Sequence, residues 1–213
     1  MQTAKQYESD NVRPDLQKTS DPTFPDRVNF VKACIQSHFG EEPRQLRILD
    51  FGACVAEITE EVKSAFPGNQ HVCFEIWTDF HPVIQQKKIT LLETYEELLK
   101  SGKYDVVIFC EVIEHILDME TAMSSIEKIT GENSIVICTT PDSSWYLAFL
   151  RILVGRYERW FCNPFDSHIR FFTFNSLFTL FRGYGFGVKK SSHYRKIRYG
   201  VFSIYACFCK FEK

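Results

Sequence analysis

Two carboxylates and an imidazole crowd the end of one apolar segment of this chain. The stretch Tyr104 to His115, YDVVIFCEVIEH, runs through Val106, Val107, Ile108 and Phe109 and then reaches Cys110, Glu111, Glu114 and His115. A short continuous apolar run has the composition of a strand covered on both faces, as in a parallel sheet flanked by helices. In an open α/β sheet the carboxyl ends of the strands face the ligand crevice, so these four residues stand where chemistry is done. The spacing E-x-x-E-H puts Glu111, Glu114 and His115 on one helical face if the chain turns into helix there.

A second set of polar residues lies upstream. LRILDFGACVAEITEEVKSAF (Leu46 to Phe66) reads as a short apolar strand, then Asp50, a turn at Gly52, and a helix with Val55, Ile58, Val62 and Ala65 inward. That is a βα unit with a phosphate-type or nucleoside-type turn. HVCFEIW (His71 to Trp77) is a second strand ending at Glu75, about one βαβ period later. A carboxylate there accepts hydrogen bonds from ribose hydroxyls.

The remaining elements must hold these residues in place. Residues 1 to 22 lack helical or strand periodicity and read as a polar tail or cap, with one domain expected over residues 23–213. Val28, Val31 and Ile35 recur at helical spacing and Gly40 gives a stop, so one amphipathic helix leads in. Ile89 to Leu99 supplies a third strand passing into a helix. Asp118 to Thr130 reads as a helix stopped by Gly131, and Ser134 to Thr140 as a fifth strand halted by Pro141. Strands alternating with helices imply a parallel sheet. Phe174 to Arg182 is a further helix, and two alternating strands joined by a basic loop end the chain. Between them, Ser143 to Phe161, part of an insert spanning about 143–165, mixes Trp145, Phe149, Leu150 and Trp160 with Arg151, Arg156 and Arg159. It reads as a substrate lid, an interfacial helix making peripheral membrane contact through 143–162, or ordinary core, and its place after a strand end favours the lid.

Composition narrows the partners. A net charge of -2 over 213 residues argues against a broad electrostatic footprint for nucleic acid, so nucleic acid is not the default partner, although a local patch could survive the averaging. The basic run from Lys189 to Arg198 reads as a solvated hairpin face. Several of the eight cysteines sit in apolar strand-like runs, where free cysteine behaves as a small hydrophobe. The polar N-terminus shows neither an apolar export core nor a cleavage signature, so a reducing cytoplasmic compartment is expected.

With these residues in view, the sequence resembles the class I S-adenosylmethionine-dependent methyltransferases over roughly Pro25 to Cys209. ILDFGACVAEI looks like the family's first motif, YDVVIFCEVIEHI its fourth-strand motif, and HIRFFTFNSLFTLFRGYGF the segment leading into its late helix. The resemblance implies a Rossmann-like, doubly wound, mostly parallel seven-stranded α/β sheet with an antiparallel last strand and helices on both faces. It implies that Asp50, Gly52, Ala53 and Cys54 hold the methionine end of the cofactor and Glu75 its ribose, with Ile76, Glu93, Thr94, Cys110 and Glu111 completing the pocket. The family's turn has three glycines at alternate positions, whereas this chain keeps Gly52 and places Cys54 and Ala56 at the other two. A Cβ resists positive φ and crowds a ligand's approach.

A narrower resemblance concerns Glu111, Glu114, His115 and His168. The set is similar to the metal site of small-RNA 3′-end 2′-O-methyltransferases and to the pattern of ubiquinone-pathway O-methyltransferases. It implies a site for Mg²⁺, Mn²⁺ or Zn²⁺, with His115 and His168 as candidate bases. The expected activity is therefore O-methylation of a small molecule. The alternatives are metal-dependent RNA 3′-end methylation and a methyltransferase-fold binding subunit that has lost catalysis.

Overall fold

The structure, a computed structural model, describes residues 23–40, 45–143, 153–154, 168–196 and 201–210. The N-terminal tail, nearly all of the aromatic insert and the basic loop between the last two strands lie outside the described residues.

In chain order the elements are α1 (Phe24–Phe39), β1 (Arg47–Phe51), α2 (Glu57–Ala65), β2 (Gln70–Phe74), α3 (His81–Gln86), β3 (Thr90–Leu92), α4 (Tyr95–Lys100), β4 (Tyr104–Cys110), α5 (Met119–Ile129), β5 (Thr130–Pro141), α6 (Phe174–Gly183), β6 (Phe186–Lys196) and β7 (Val201–Lys210). The strands form one sheet in the order β3-β2-β1-β4-β5-β7-β6. Pairing is parallel throughout except that β7 runs antiparallel to both β5 and β6. The order reverses at β1 and β4, so their carboxyl ends flank the crevice where open sheets bind ligands.

Alternation along the strands explains the two-sided core. Leu49, Phe51, Val107, Phe109, Val136 and Cys138 face a layer made by α4, α5 and α6. Ile48, Val106, Ile108, Ile135 and Ile137 face α1 and α2 on the other side. Residues 106 to 109 are fully buried, as the unbroken apolar run of β4 requires. The Phe181 and Phe208 rings stack at 3.8 Å and join α6 to β7.

Two local expectations are corrected. Ala65 is exposed at the last turn of α2, where the helix has already rotated its inward stripe past it, and buried Thr59 takes an inward place instead. Gly131 does not stop a helix ahead of a separate strand: α5 ends at Ile129 and β5 begins directly at Thr130. The Thr130 hydroxyl donates to the Ile126 carbonyl oxygen, and Ser134 Oγ accepts from Gly131 N while donating to Tyr104 O. Side-chain hydrogen bonds thus make the junction continuous. Among the described residues, no helix is long and apolar enough to cross a membrane.

Candidate active site

Asp50, at the end of β1, is buried and accepts a 2.6 Å hydrogen bond from the Thr59 hydroxyl of α2. Burial pushes its carboxyl up to about 6, opposed by that bond. The following turn is tied to β2, because the backbone N–H groups of Gly52 and Ala53 both donate to Phe74 O. Gly52, Cys54 and Ala56 have φ of 76°, 51° and 59°. All three alternate positions are left-handed although two carry a Cβ, so the turn keeps the shape that glycine would give it. Ala56 N donates to Ala53 O at 2.7 Å, and the Ala56 methyl is buried with Phe80 and Ile84. Cys54 is exposed over its surface as a whole, yet the chain packed around its sulfur first, and the Glu75 charge second, push the thiol up to about 11. Left-handed backbone at a residue with a Cβ costs on the order of 1–2 kcal/mol. Cys54→Gly therefore relieves strain while losing little packing. The expected gain is about 0.5–1 kcal/mol, or roughly 1–4 °C in thermal midpoint, with cofactor affinity within about twofold of wild type. A lower midpoint would contradict the strain.

Glu75 sits just past β2 and is 3% exposed. Its two carboxylate oxygens accept from Cys54 N at 2.8 Å and Trp77 N at 2.9 Å, so one side chain fixes both the glycine-type turn and the loop after β2. Burial pushes this carboxyl up to about 7, against the pull of the two N–H donors. Ile76 is half-buried against the core. His81 Nε2 lies 2.8 Å from Glu75 O and its Nδ1 3.5 Å from Glu93 Oε2, so Glu93 is brought to the same corner. Thr94 caps α4, its hydroxyl accepting from Glu97 N.

At the end of β4 the arrangement departs from a continuous helical face. Glu111 has φ 54°, and only Ile113–His115 forms a short 3-10 turn. Glu111 Oε1 accepts from the Thr139 hydroxyl at 2.8 Å and lies 4.0 Å from Arg27 Nε. Glu114 turns to the opposite face, where Oε2 accepts from the Thr140 hydroxyl at 3.0 Å. The alternation of Thr139 and Thr140 along β5 is what separates the two carboxylates. Glu111 consequently does not join the cluster of Glu114, His115 and His168, whose possible ligand atoms all lie within 4.8 Å of one another. Ile169 N and Arg170 N donate to Glu114 O and bring His168 beside His115, with ring centroids 4.8 Å apart. Glu114 is 1% exposed; burial first, then the nearby Glu111 charge, pushes its carboxyl well above the usual range. Cys110 is buried at the same strand end, and burial pushes its thiol up to about 12, leaving it neutral.

Arg27 belongs to this site and was not among the expected residues. It lies on the buried stripe of α1, donates to the Thr23 hydroxyl and faces Glu111. The signal for it is its place four residues before Val31 on a helix whose inward positions are otherwise apolar.

The turn held by Glu75, with buried Asp50 just before it, stands where the strand order reverses, the place at which open α/β sheets bind ligands. A family model described as a methyltransferase domain matches residues 26–191, and the chain belongs to that family. Solved structures agree on the fold. Magnesium protoporphyrin IX methyltransferase from Synechocystis PCC 6803 with bound S-adenosylhomocysteine superposes with TM-score 0.69 at 18% identity, covering 96% of this chain and 91% of that one. The N-methyltransferase NodS from Bradyrhizobium japonicum WM9 gives 0.62 at 14%, covering 91% and 99%. The 1,6-didemethyltoxoflavin-N1-methyltransferase from Burkholderia thailandensis gives 0.61 at 14%, covering 87% and 79%. No curated protein matches the chain by sequence.

Proposed function

We propose that this methyltransferase acts on an oxygen nucleophile of a small molecule. The observation that carries the reading is the His115 and His168 pair beside buried Glu114 at the end of β4, since a hydroxyl must lose its proton as it attacks. In the transfer the substrate O–H bond breaks with its proton passing to an imidazole nitrogen, the O–CH₃ bond forms, and the S–CH₃ bond breaks with its electron pair returning to sulfur. Asp50, Gly52, Ala53 and Cys54 hold the methionine end of the cofactor, Glu75 the ribose, and Ile76, Glu93 and Thr94 its adenine side. Cys110 and Glu111 close the pocket, and Arg27 supplies a cation toward the cofactor's carboxylate.

The small net charge supports a small-molecule substrate over nucleic acid. The seven described cysteines are free thiols, which supports a reducing, cytoplasmic setting. Incubation with S-adenosylmethionine and a panel of phenols, catechols, carboxylic acids, amines and short RNAs is expected to release S-adenosylhomocysteine with the oxygen acceptors. His115→Ala should lower that rate by about 10²–10⁴-fold. Turnover of amines alone, indifferent to His115, would overturn the oxygen assignment.

A second reading adds a divalent cation. Glu114 Oε1 is buried with no hydrogen-bond partner among the described residues and lies 3.9 Å from His115 Nε2. One carboxylate and two imidazoles suit Zn²⁺ or Mn²⁺ better than Mg²⁺, which prefers oxygen ligands. Glu114, His115 and His168 would hold such an ion, which would there lower the pKa of a substrate hydroxyl. At a hundredfold excess over its dissociation constant it should stabilise the fold by about 2.7 kcal/mol. Thermal unfolding should show a rise with Zn²⁺ or Mn²⁺ in wild type and none in Glu114→Gln; equal responses would exclude the site.

A further inference from the structure

A second imidazole–carboxylate pair stands on the same face of the sheet, away from the cofactor turn. Asp142 follows the end of β5, and its side chain is 3% exposed; His193 lies on β6 with its side chain 38% exposed. His193 Nδ1 is 3.0 Å from Asp142 Oδ2, and its ring meets the face of Phe174 edge-on with centroids 3.9 Å apart. A carboxylate oxygen only accepts, so in the neutral ring the proton sits on Nδ1 and the Nε2 lone pair points away from Asp142. No hydrogen bond to Nε2 is made among the described residues. Holding β6 in place does not require this pair, because β6 is already aligned with β7 over ten register positions. What the pair does is fix the ring of one exposed histidine in one orientation, with an acceptor atom turned outward.

Its position relative to the catalytic cluster is set by the sheet. Thr140, Ile204 and His193 form one row across β5, β7 and β6. Thr140 is the residue that donates to Glu114, so His193 stands two strands away from that contact, about 10 Å at ordinary strand spacing. All three residues of the row point to the face covered by α6, where Phe174 offers an aromatic surface beside His193.

We propose that His193, oriented by Asp142, is a substrate-positioning residue: its Nε2 accepts a hydrogen bond from a hydroxyl of the acceptor substrate at the end remote from the Glu114, His115 and His168 cluster, two strands (about 10 Å) from the Thr140–Glu114 contact. The substrate class is then an elongated, flat molecule with a hydroxyl at each end. This deepens the small-molecule O-methylation reading and rests on it.

The test uses the full chain saturated with S-adenosylhomocysteine and two probes, 4,4′-dihydroxybiphenyl and 4-hydroxybiphenyl, titrated by calorimetry. Wild type should bind the dihydroxy compound about threefold to tenfold more tightly, the worth of one hydrogen bond. His193→Phe should erase that preference, and Asp142→Asn should reduce it, while both variants keep wild-type affinity for S-adenosylhomocysteine. Equal binding of the two probes by wild type, a preference that survives in His193→Phe, or binding of neither probe overturns the proposal. Failure of wild type to bind S-adenosylhomocysteine would instead overturn the methyltransferase reading beneath it.

Discussion

Replacing Glu75 by glutamine is expected to weaken S-adenosylhomocysteine binding by at least about 100-fold and to remove most of its pH dependence. Hydrogen bonds to a charged acceptor are worth about 1.5–3 kcal/mol each, and a ribose offers two donors. The pH dependence follows from burial, which pushes the Glu75 carboxyl up to about 7. If Glu75 takes the ribose as proposed, the ribose hydroxyls favour its ionised form, so binding should lower that value and release a proton. Affinity should therefore rise with pH up to about 7 and flatten above it, approaching tenfold per unit on the acid side. Stability moves the other way. A folded pKa above the unfolded value near 4.3 means that the folded protein holds the extra proton between about pH 4 and 7 and loses stability as pH rises through that window. Between pH 5 and 8 the unfolding free energy of the glutamine variant should accordingly gain about 2–3 kcal/mol relative to wild type. Denaturant unfolding at the two pH values checks this, and a constant difference would refute the buried, proton-holding Glu75.

Gly52→Ala should cost about 2–5 kcal/mol and damage both halves of the site. Gly52 has φ 76°, and a Cβ there would lie 2.7 Å and 2.8 Å from the two methyl carbons of Val112. The backbone term is about 1–2 kcal/mol and the overlap about 1–3 kcal/mol. Val112 sits between Glu111 and the Ile113–His115 turn, so moving it shifts the candidate base as well as the turn after β1 proposed to hold the cofactor. Chemical denaturation should show the loss, and a variant within 0.5 kcal/mol of wild type would show that Val112 yields freely.

The contrast between Gly52 and its two replacements shows what a sequence can and cannot convey. The alternation of strands with helices and the places of Asp50 and Glu75 at strand ends were legible because apolar runs, turn residues and strand-end carboxylates each have a short-range cause, whereas the antiparallel β7 came only from the family resemblance. The left-handed backbone at Cys54 and Ala56 was not, since it is enforced by Glu75, 21 residues from Cys54, and by packing against α3. Glu111 failed as a helical neighbour of Glu114 for a related reason. Its positive φ and its bond to Thr139 depend on β5 lying alongside, and nothing in E-x-x-E-H carries that information. The pairing of Asp142 with His193 spans 51 residues and exists only because β6 folds back beside β7.

Calorimetric titration of the full chain with S-adenosylhomocysteine, run between pH 6 and 8.5 with and without Zn²⁺ or Mn²⁺, tests most directly whether this turn still holds the cofactor. The account predicts micromolar or tighter binding, about -8 kcal/mol or better, with proton release near pH 6.5 that disappears in Glu75→Gln. Absence of binding under all of these conditions would contradict it and leave a methyltransferase fold that serves as a scaffold.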